Sequence, residues 1–129
     1  MPGPNPLLVK TGLAGAAVDK FKILKFGSAD DTFIHATTIT EVLVAVSLEA
    51  AASGARLEYV TDGIATVQAG GTITRGDFVT SGAAGVGVAA APATTAHNGT
   101  IGIAMASAVI GDYFPVMICQ ARTGSAAGA

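Results

Sequence analysis

Asp30 and Asp31 stand four residues ahead of His35 in the run Phe26-Gly27-Ser28-Ala29-Asp30-Asp31-Thr32-Phe33-Ile34-His35. Two carboxylates and an imidazole are the raw material of a metal site or an acid-base pair, and both need groups that converge on one point. Along a strand successive side chains alternate between faces, so Asp31, Phe33 and His35 share a face and Asp30 turns away. Distant residues would have to complete a three-ligand site. The run reads instead as a Gly-Ser-Ala-Asp-Asp turn between two strands, with Asp supplying Asx-type bonds to the backbone. The second histidine, His97, stands just before Asn98-Gly99, a turn signal ahead of a strand at Ile101, and reads as a loop residue.

Other chemistry is as poorly supplied. No serine sits in a Gly-x-Ser-x-Gly elbow, and two histidines leave few ways to build a Ser-His-Asp triad. Gly82-Ala83-Ala84-Gly85-Val86-Gly87 has neither dinucleotide spacing nor the Gly-Lys-Ser/Thr ending of a P-loop, and Val88 to Pro92 show no helical period behind it. These glycines read as turn and tight-packing positions. Gly76-Asp77-Phe78 and Gly111-Asp112-Tyr113 share a Gly-Asp-aromatic start that reads as turn chemistry. Such starts also occur in small β-barrels carrying biotin or lipoyl on a hairpin lysine. Lys25 is the lysine nearest a turn and lacks the Met or Asp-Ala flanks, which leaves a carrier or binding barrel as the alternative function. Cys119 is the single cysteine, so an internal disulfide and a cysteine-based zinc site are excluded; inside the apolar run from Phe114 it reads as core packing. The expectation is a protein without catalytic residues, metal or cofactor, and not an enzyme.

The elements that position these residues are mostly β. Short stretches rich in Val, Ile, Phe, Tyr and Thr are bounded by Gly, Asp and Ser. Strands are expected at Phe21 to Phe26, Thr32 to Ala36, Val42 to Leu48, Arg56 to Val60, Ile64 to Gln68, Phe78 to Thr80, Gly87 to Ala90, Ile101 to Met105 and Tyr113 to Cys119. Val42 to Val46 is apolar throughout and reads as central. Glu49 to Ser53 is expected to form one helical turn. Pro115 suggests an edge or a bulge in the last strand. Turn positions are expected at Gly27, Asp30, Gly54, Gly63, Gly76, Asp77, Gly111 and Asp112.

The chain has 129 residues, half of them apolar and 12% charged, with a net charge of -2. That is one domain's worth of core with little charge to keep its surface apart from other surfaces. Seven scattered Lys and Arg against nine acids argue against a nucleic-acid partner. The uncharged run between Asp77 and Asp112 is too broken by Gly, Pro and Asn to span a membrane. Met1-Pro2-Gly3-Pro4-Asn5-Pro6 has no basic region leading into an apolar stretch, so no secretory signal is read there. Residues 1–17 read as an extended arm with one β-like piece at Leu7 to Thr11, and residues 121–129 as a flexible tail.

Setting residue n beside n plus 57 aligns Phe21 with Phe78, Ala36-Thr37-Thr38 with Ala93-Thr94-Thr95, Gly54 with Gly111, Val44 to Leu48 with Ile101 to Met105, and Arg56-Leu57 with Tyr113-Phe114. The reading is a single β domain over 18–120, a barrel or sandwich built from two related halves at 18–62 and 75–119, neither large enough to be stable alone.

Phe21 to Asp31, Asp62 to Val67, Gly70-Gly71-Thr72-Ile73-Thr74-Arg75-Gly76-Asp77-Phe78-Val79-Thr80, and Ile101 to Ala104 with Gly111-Asp112 resemble, in this order, the capsid decoration or cement proteins of tailed phages. The likeness covers about Lys20 to Ile118 and departs at Ala45, where a glycine is expected beside Val46. The resemblance implies a small β protein made in the host cytoplasm and bound to the outside of the mature head, often at local threefold positions, bridging major capsid protein subunits. It implies no catalysis. A homotrimer is the expected self-assembly. The arm is the expected capsid contact, through Pro2, Pro4, Pro6, Leu7, Leu8, Val9 and Lys10, with Leu7 to Lys10 adding a strand to a capsid sheet edge.

Overall fold

The structure, a computed structural model, describes residues 5–37, 42–90 and 98–123. Among these residues the strands are β1 (Asn5–Ala14), β2 (Ile23–Phe26), β3 (Thr32–His35), β4 (Ala45–Ser47), β5 (Arg56–Gln68), β6 (Phe78–Ser81), β7 (Gly87–Ala89), β8 (Asn98–Ala104) and β9 (Tyr113–Thr123), with one short 3₁₀ turn at Ala83–Gly85. The protein is mainly β, as its alternating apolar residues and glycine-rich turns require.

One loop shape recurs four times and decides where strands begin. Each copy holds an isolated bridge residue and then a two-residue turn whose second member has a left-handed backbone: Phe21 (φ 60), Gly54 (φ 81), Gly76 (φ 96) and Gly111 (φ 89). Three of the four are glycine because a Cβ is strained there. Phe21 is held in that conformation with its ring edge-on to Tyr113, centroids 5.4 Å apart. The loops meet in pairs. Val18 and Ala51 exchange two main-chain hydrogen bonds, and Ile73 and Ala108 do the same.

Five strands close into a barrel. β1 runs antiparallel to β5 from Leu13 opposite Arg56 to Asn5 opposite Ile64, and meets β3 in parallel at Leu13 and Ala14. From β3 the ladder passes through β2 and β4 and returns to β5 at Val60 and Tyr59. The far end of β5, Ile64 to Gln68, then starts a second circuit through β9, β8, β6 and β7. A parallel bridge from Ala69 to Gly87 brings that circuit back beside β5.

The circuits match bond for bond. Phe26 opposite Phe33 becomes Ser81 opposite Gly87, Ile23 opposite Val46 becomes Phe78 opposite Ile103, and Val46 opposite Val60 becomes Ile103 opposite Met117. The two related halves are therefore real, but their bounds are not 18–62 and 75–119. β5 serves both: its first part closes the first barrel and its last part stands where β1 stands in that barrel. The expected spacing of 57 holds for β4 with β8 and β5 with β9, while Val18 matches Ile73 at 55. Phe21 is consequently the counterpart of Gly76, and Phe78 that of Ile23.

Several local expectations change with this topology. The break expected at Asp62-Gly63 is a bulged passage within β5, where the Gly63 N–H donates to Asp62 Oδ1 and φ is 94°. Residues 49–53 make no helical turn, because Ala51 is held in its bridge to Val18. Asn98 and Gly99 lie within β8, opposite Thr123 and Arg122, so the turn is not there, and 121–123 belong to β9 and not to a tail. Pro115 lies in a strand flanked by both β5 and β8, one residue beyond the last β8 pair. Its carbonyl accepts from the Met105 N–H, and a strand residue's N–H and C=O point the same way, so the missing donor faces the end of β8.

Two buried clusters follow. Ala14, Val18, Leu24, Phe33, Ala45, Leu57 and Tyr59 fill the first barrel. The larger cluster joins the second barrel's interior, including Val67, Val79, Phe114 and Val116, to Ile23, Val46 and Val60. Alternation puts those last three on the face of the first barrel opposite Leu24, Ala45 and Tyr59, so the second half packs on the outside of the first.

Candidate interaction surface

Four strands of the second half bring apolar side chains into one lateral row. Phe78 of β6 stands opposite Ile103 of β8, Ile103 opposite Met117 of β9, and Met117 opposite Ile64 of β5. Directly paired residues point to the same face of a sheet, so the row is continuous. Their neighbours Val79, Val116 and Ala65 are buried on the other face. Phe78 and Met117 are each 45% exposed, and Ile103 and Ile64 are half-buried. The row is an apolar strip open on the described surface, the kind of feature from which contact surfaces are built.

The equivalent row of the first half, Ile23, Val46 and Val60, is 0% exposed because the second half covers it. The halves also differ in charge. Twelve of the sixteen charged residues precede Gly63, and none lies between Asp77 and Asp112. Where the first half carries Glu49, Arg56 and Glu58, around a shallow groove that includes Thr11, the second half carries Ala106, Tyr113 and Pro115. Val109 and Ile110, 57% and 73% exposed, tip the β8–β9 loop where the first half has Ala52 and Ser53. The described surface of the second half is therefore less charged and more apolar than that of the first.

The residues expected to form a capsid-binding arm are placed otherwise than a free arm would be. Pro2 and Pro4 lie outside the described residues. Pro6 to Lys10 belong to β1, with Pro6 opposite Gly63, Leu8 opposite Asp62, Val9 opposite Val60 and Lys10 opposite Tyr59, and Leu7 at a register shift. This stretch already spends one hydrogen-bonding edge on its own β5. Ala14, also assigned to the arm, and Val18 just beyond it are buried in the first barrel.

Of the expected turn positions, Gly54, Gly76 and Gly111 occupy left-handed turns with Asp77 and Asp112 beside them, whereas Gly63 lies within β5. Asp77 Oδ2 accepts from the Thr74 N–H at 2.9 Å and Asp112 Oδ2 from the Val109 N–H at 3.4 Å. Gly27 is needed for close approach, since a Cβ there would meet Thr32 Oγ1. Asp30 is exposed in the β2–β3 turn, beside Asp31 at φ 61°.

The chemical candidates do not converge. His35 is half-buried and its Nε2 accepts from the Asp19 N–H at 3.0 Å; burial pulls its pKa below 6.5, Asp19 opposes that and Lys22 adds to it. The Tyr59 hydroxyl is shifted upward by desolvation and by the charge of Asp31. Lys25 lies within β2 and not at a hairpin tip. Cys119 is exposed, contrary to the core reading, because β9 turns Phe114, Val116 and Ile118 inward. His97 lies outside the described residues. Among the described residues no group of three or more His, Cys, Asp or Glu is placed to hold a metal ion, and no helix is long and apolar enough to cross a membrane.

Sequence reasoning missed the row. Phe78 and Ile103 were visible as strand residues, but which face of a strand stays open depends on how the halves pack, and nothing local encodes that. The usable clue was the uncharged run from Phe78 to Gly111.

No protein-family model and no curated protein matches this sequence. Among solved structures the chain is similar to the head fibre gp8.5 N base of bacteriophage phi29, with 22% sequence identity and a TM-score of 0.69, over 87% of this chain and 93% of that one. At that identity the likeness is one of fold, and it extends over both halves.

Proposed function

We propose that this protein is a structural, non-catalytic component of a phage particle, a decoration protein that binds the outer surface of the head and stabilises the major capsid protein shell. In this reading three copies sit together at local threefold positions and no cofactor takes part. The observation that carries it is the likeness of fold, over almost the whole of both chains, to the base of a phage head fibre. The turn pattern shared with decoration proteins and the uncharged apolar row of the second half support the same role.

Stabilisation would work by mass action. A protein that binds the assembled shell and not its disrupted state lowers the free energy of the shell by its own binding free energy, and many sites add. The test is co-sedimentation of the purified full chain with heads lacking it, followed by heating. Saturable binding and a higher disruption temperature are expected. Heads that neither take up the protein nor gain heat resistance would overturn the proposal.

A further inference from the structure

The two halves present the same sheet face, and among the described residues only the first half's face is covered. On the first half, Gly85 of the β6–β7 turn donates its N–H to the Ala36 carbonyl at 2.7 Å, and a Cβ on it would stand 2.7 Å from the Ile23 carbonyl oxygen. The counterpart of Ile23, Val46 and Val60 on the second half is the open row Phe78, Ile103 and Met117.

A second copy cannot cover that row by repeating the internal contact. The turn of its first half that corresponds to β6–β7 carries Asp31 at the left-handed position that Gly85 fills, and a side chain has no room there. Nor does the rest of the first half suit the row, since most of the chain's charges lie on it and would lose water against Phe78 and Met117 without gaining a counter-charge. Among the described residues, the surface that matches an uncharged apolar row is that of the second half itself.

We infer that copies of this chain associate through their second halves, with the Phe78–Ile103–Met117 row of one against the same row of another about a symmetry axis. Three copies whose rows meet around a threefold axis close the assembly and do not propagate a filament. This inference rests on the self-association in the reading above and not on attachment to a head.

The test is light scattering on the full chain, with Met117→Glu and, as a first-half control, Phe26→Ser at a residue 61% exposed. Wild type and Phe26→Ser should be oligomers of equal mass, and Met117→Glu a monomer with the same β circular dichroism and a cooperative melt, since Met117 is half exposed. In a Cys119→Ser background, Met117→Cys should form disulfide-linked pairs on oxidation and Ser28→Cys should not. Oligomers that survive Met117→Glu, or are lost in Phe26→Ser, overturn the row and leave self-association standing. A monomeric wild type overturns both, and co-sedimentation with heads then decides attachment separately.

Discussion

Gly87 lies so close beneath Phe114 that a Cβ on it would come within 3.1 Å of the ring's Cζ, and within 2.9 Å of Val67 Cγ1. The matching pair in the first barrel is Phe33 and Leu57, both buried. One barrel puts its large ring on the β3 side and the other on the β9 side, so the same backbone encloses two different packings of similar volume. Gly87→Val should therefore destabilise the second barrel by about 1–3 kcal/mol through overpacking. Urea denaturation measures it, and adding Phe114→Leu should recover part of the loss; an unchanged midpoint in Gly87→Val would contradict the packing.

Gly85 and Gly54 have similar left-handed backbones, φ 75° and 81°, in different surroundings. Nothing lies within 4 Å of a Cβ on Gly54, whereas on Gly85 it meets the backbone of Ile23 and the Lys22 side chain. Gly54→Ala should cost about 1–2 kcal/mol for backbone strain alone. Gly85→Ala should cost that and more, because the halves must move apart. Equal losses in the two variants would show that the β6–β7 turn does not hold the halves together.

These two glycines mark what was legible in the sequence. Glycine runs and alternating apolar residues place the strands well, because turns and pleats are local. The repeat is legible too, and its spacing of 57 holds for Val44 to Leu48, Gly54 and Arg56-Leu57 but fails at Phe21, the counterpart of Gly76: a left-handed turn position filled by an aromatic looks like the start of a strand. The sharing of β5 between barrels was hidden by Asp62-Gly63, which has the composition of a turn and forms a bulge. The open row was hidden because burial of Ile23 and exposure of Phe78 differ through non-local packing, with similar residues at both places.

Asp77 and Asp112 brace equivalent turns with unequal bonds, 2.9 Å to the Thr74 N–H and 3.4 Å to the Val109 N–H. Replacing Asp77 with Ala should lower stability by about 0.5–1.5 kcal/mol, and the same change at Asp112 by less. The order of the two urea midpoints is the measurement, and a larger effect at Asp112 would contradict the geometry.

His35 makes stability depend on pH. Its Nε2 can accept from the Asp19 N–H only while unprotonated, and burial keeps its folded pKa below the unfolded value of 6.5. Between those two values the unfolded chain binds more protons, so stability is full above pH 6.5 and falls as the pH drops towards the folded pKa. Thermal midpoints of wild type and His35→Gln should run parallel above pH 6.5 and converge below it. Parallel curves throughout would show that His35 does not titrate in this way.

The N-terminal residues allow the proposed capsid contact to be separated from folding. Deleting residues 1–11 would strip β1 from the Asn5 to Thr11 pairings along β5 and open the first barrel over Leu57 and Tyr59, so loss of head binding in that variant would say nothing about contact. Deleting residues 1–4 leaves every described β1 pair in place. From Asn5 to Gly12 the β1 edge away from β5 enters no ladder with another described strand, which is the geometry an added capsid strand requires. The shorter deletion should keep the wild-type melting midpoint and weaken co-sedimentation with heads, while Lys10→Pro, which removes a donor within β1, should lower the midpoint itself. Full head occupancy after the shorter deletion would assign attachment to β1's open edge or to another face of the barrel pair.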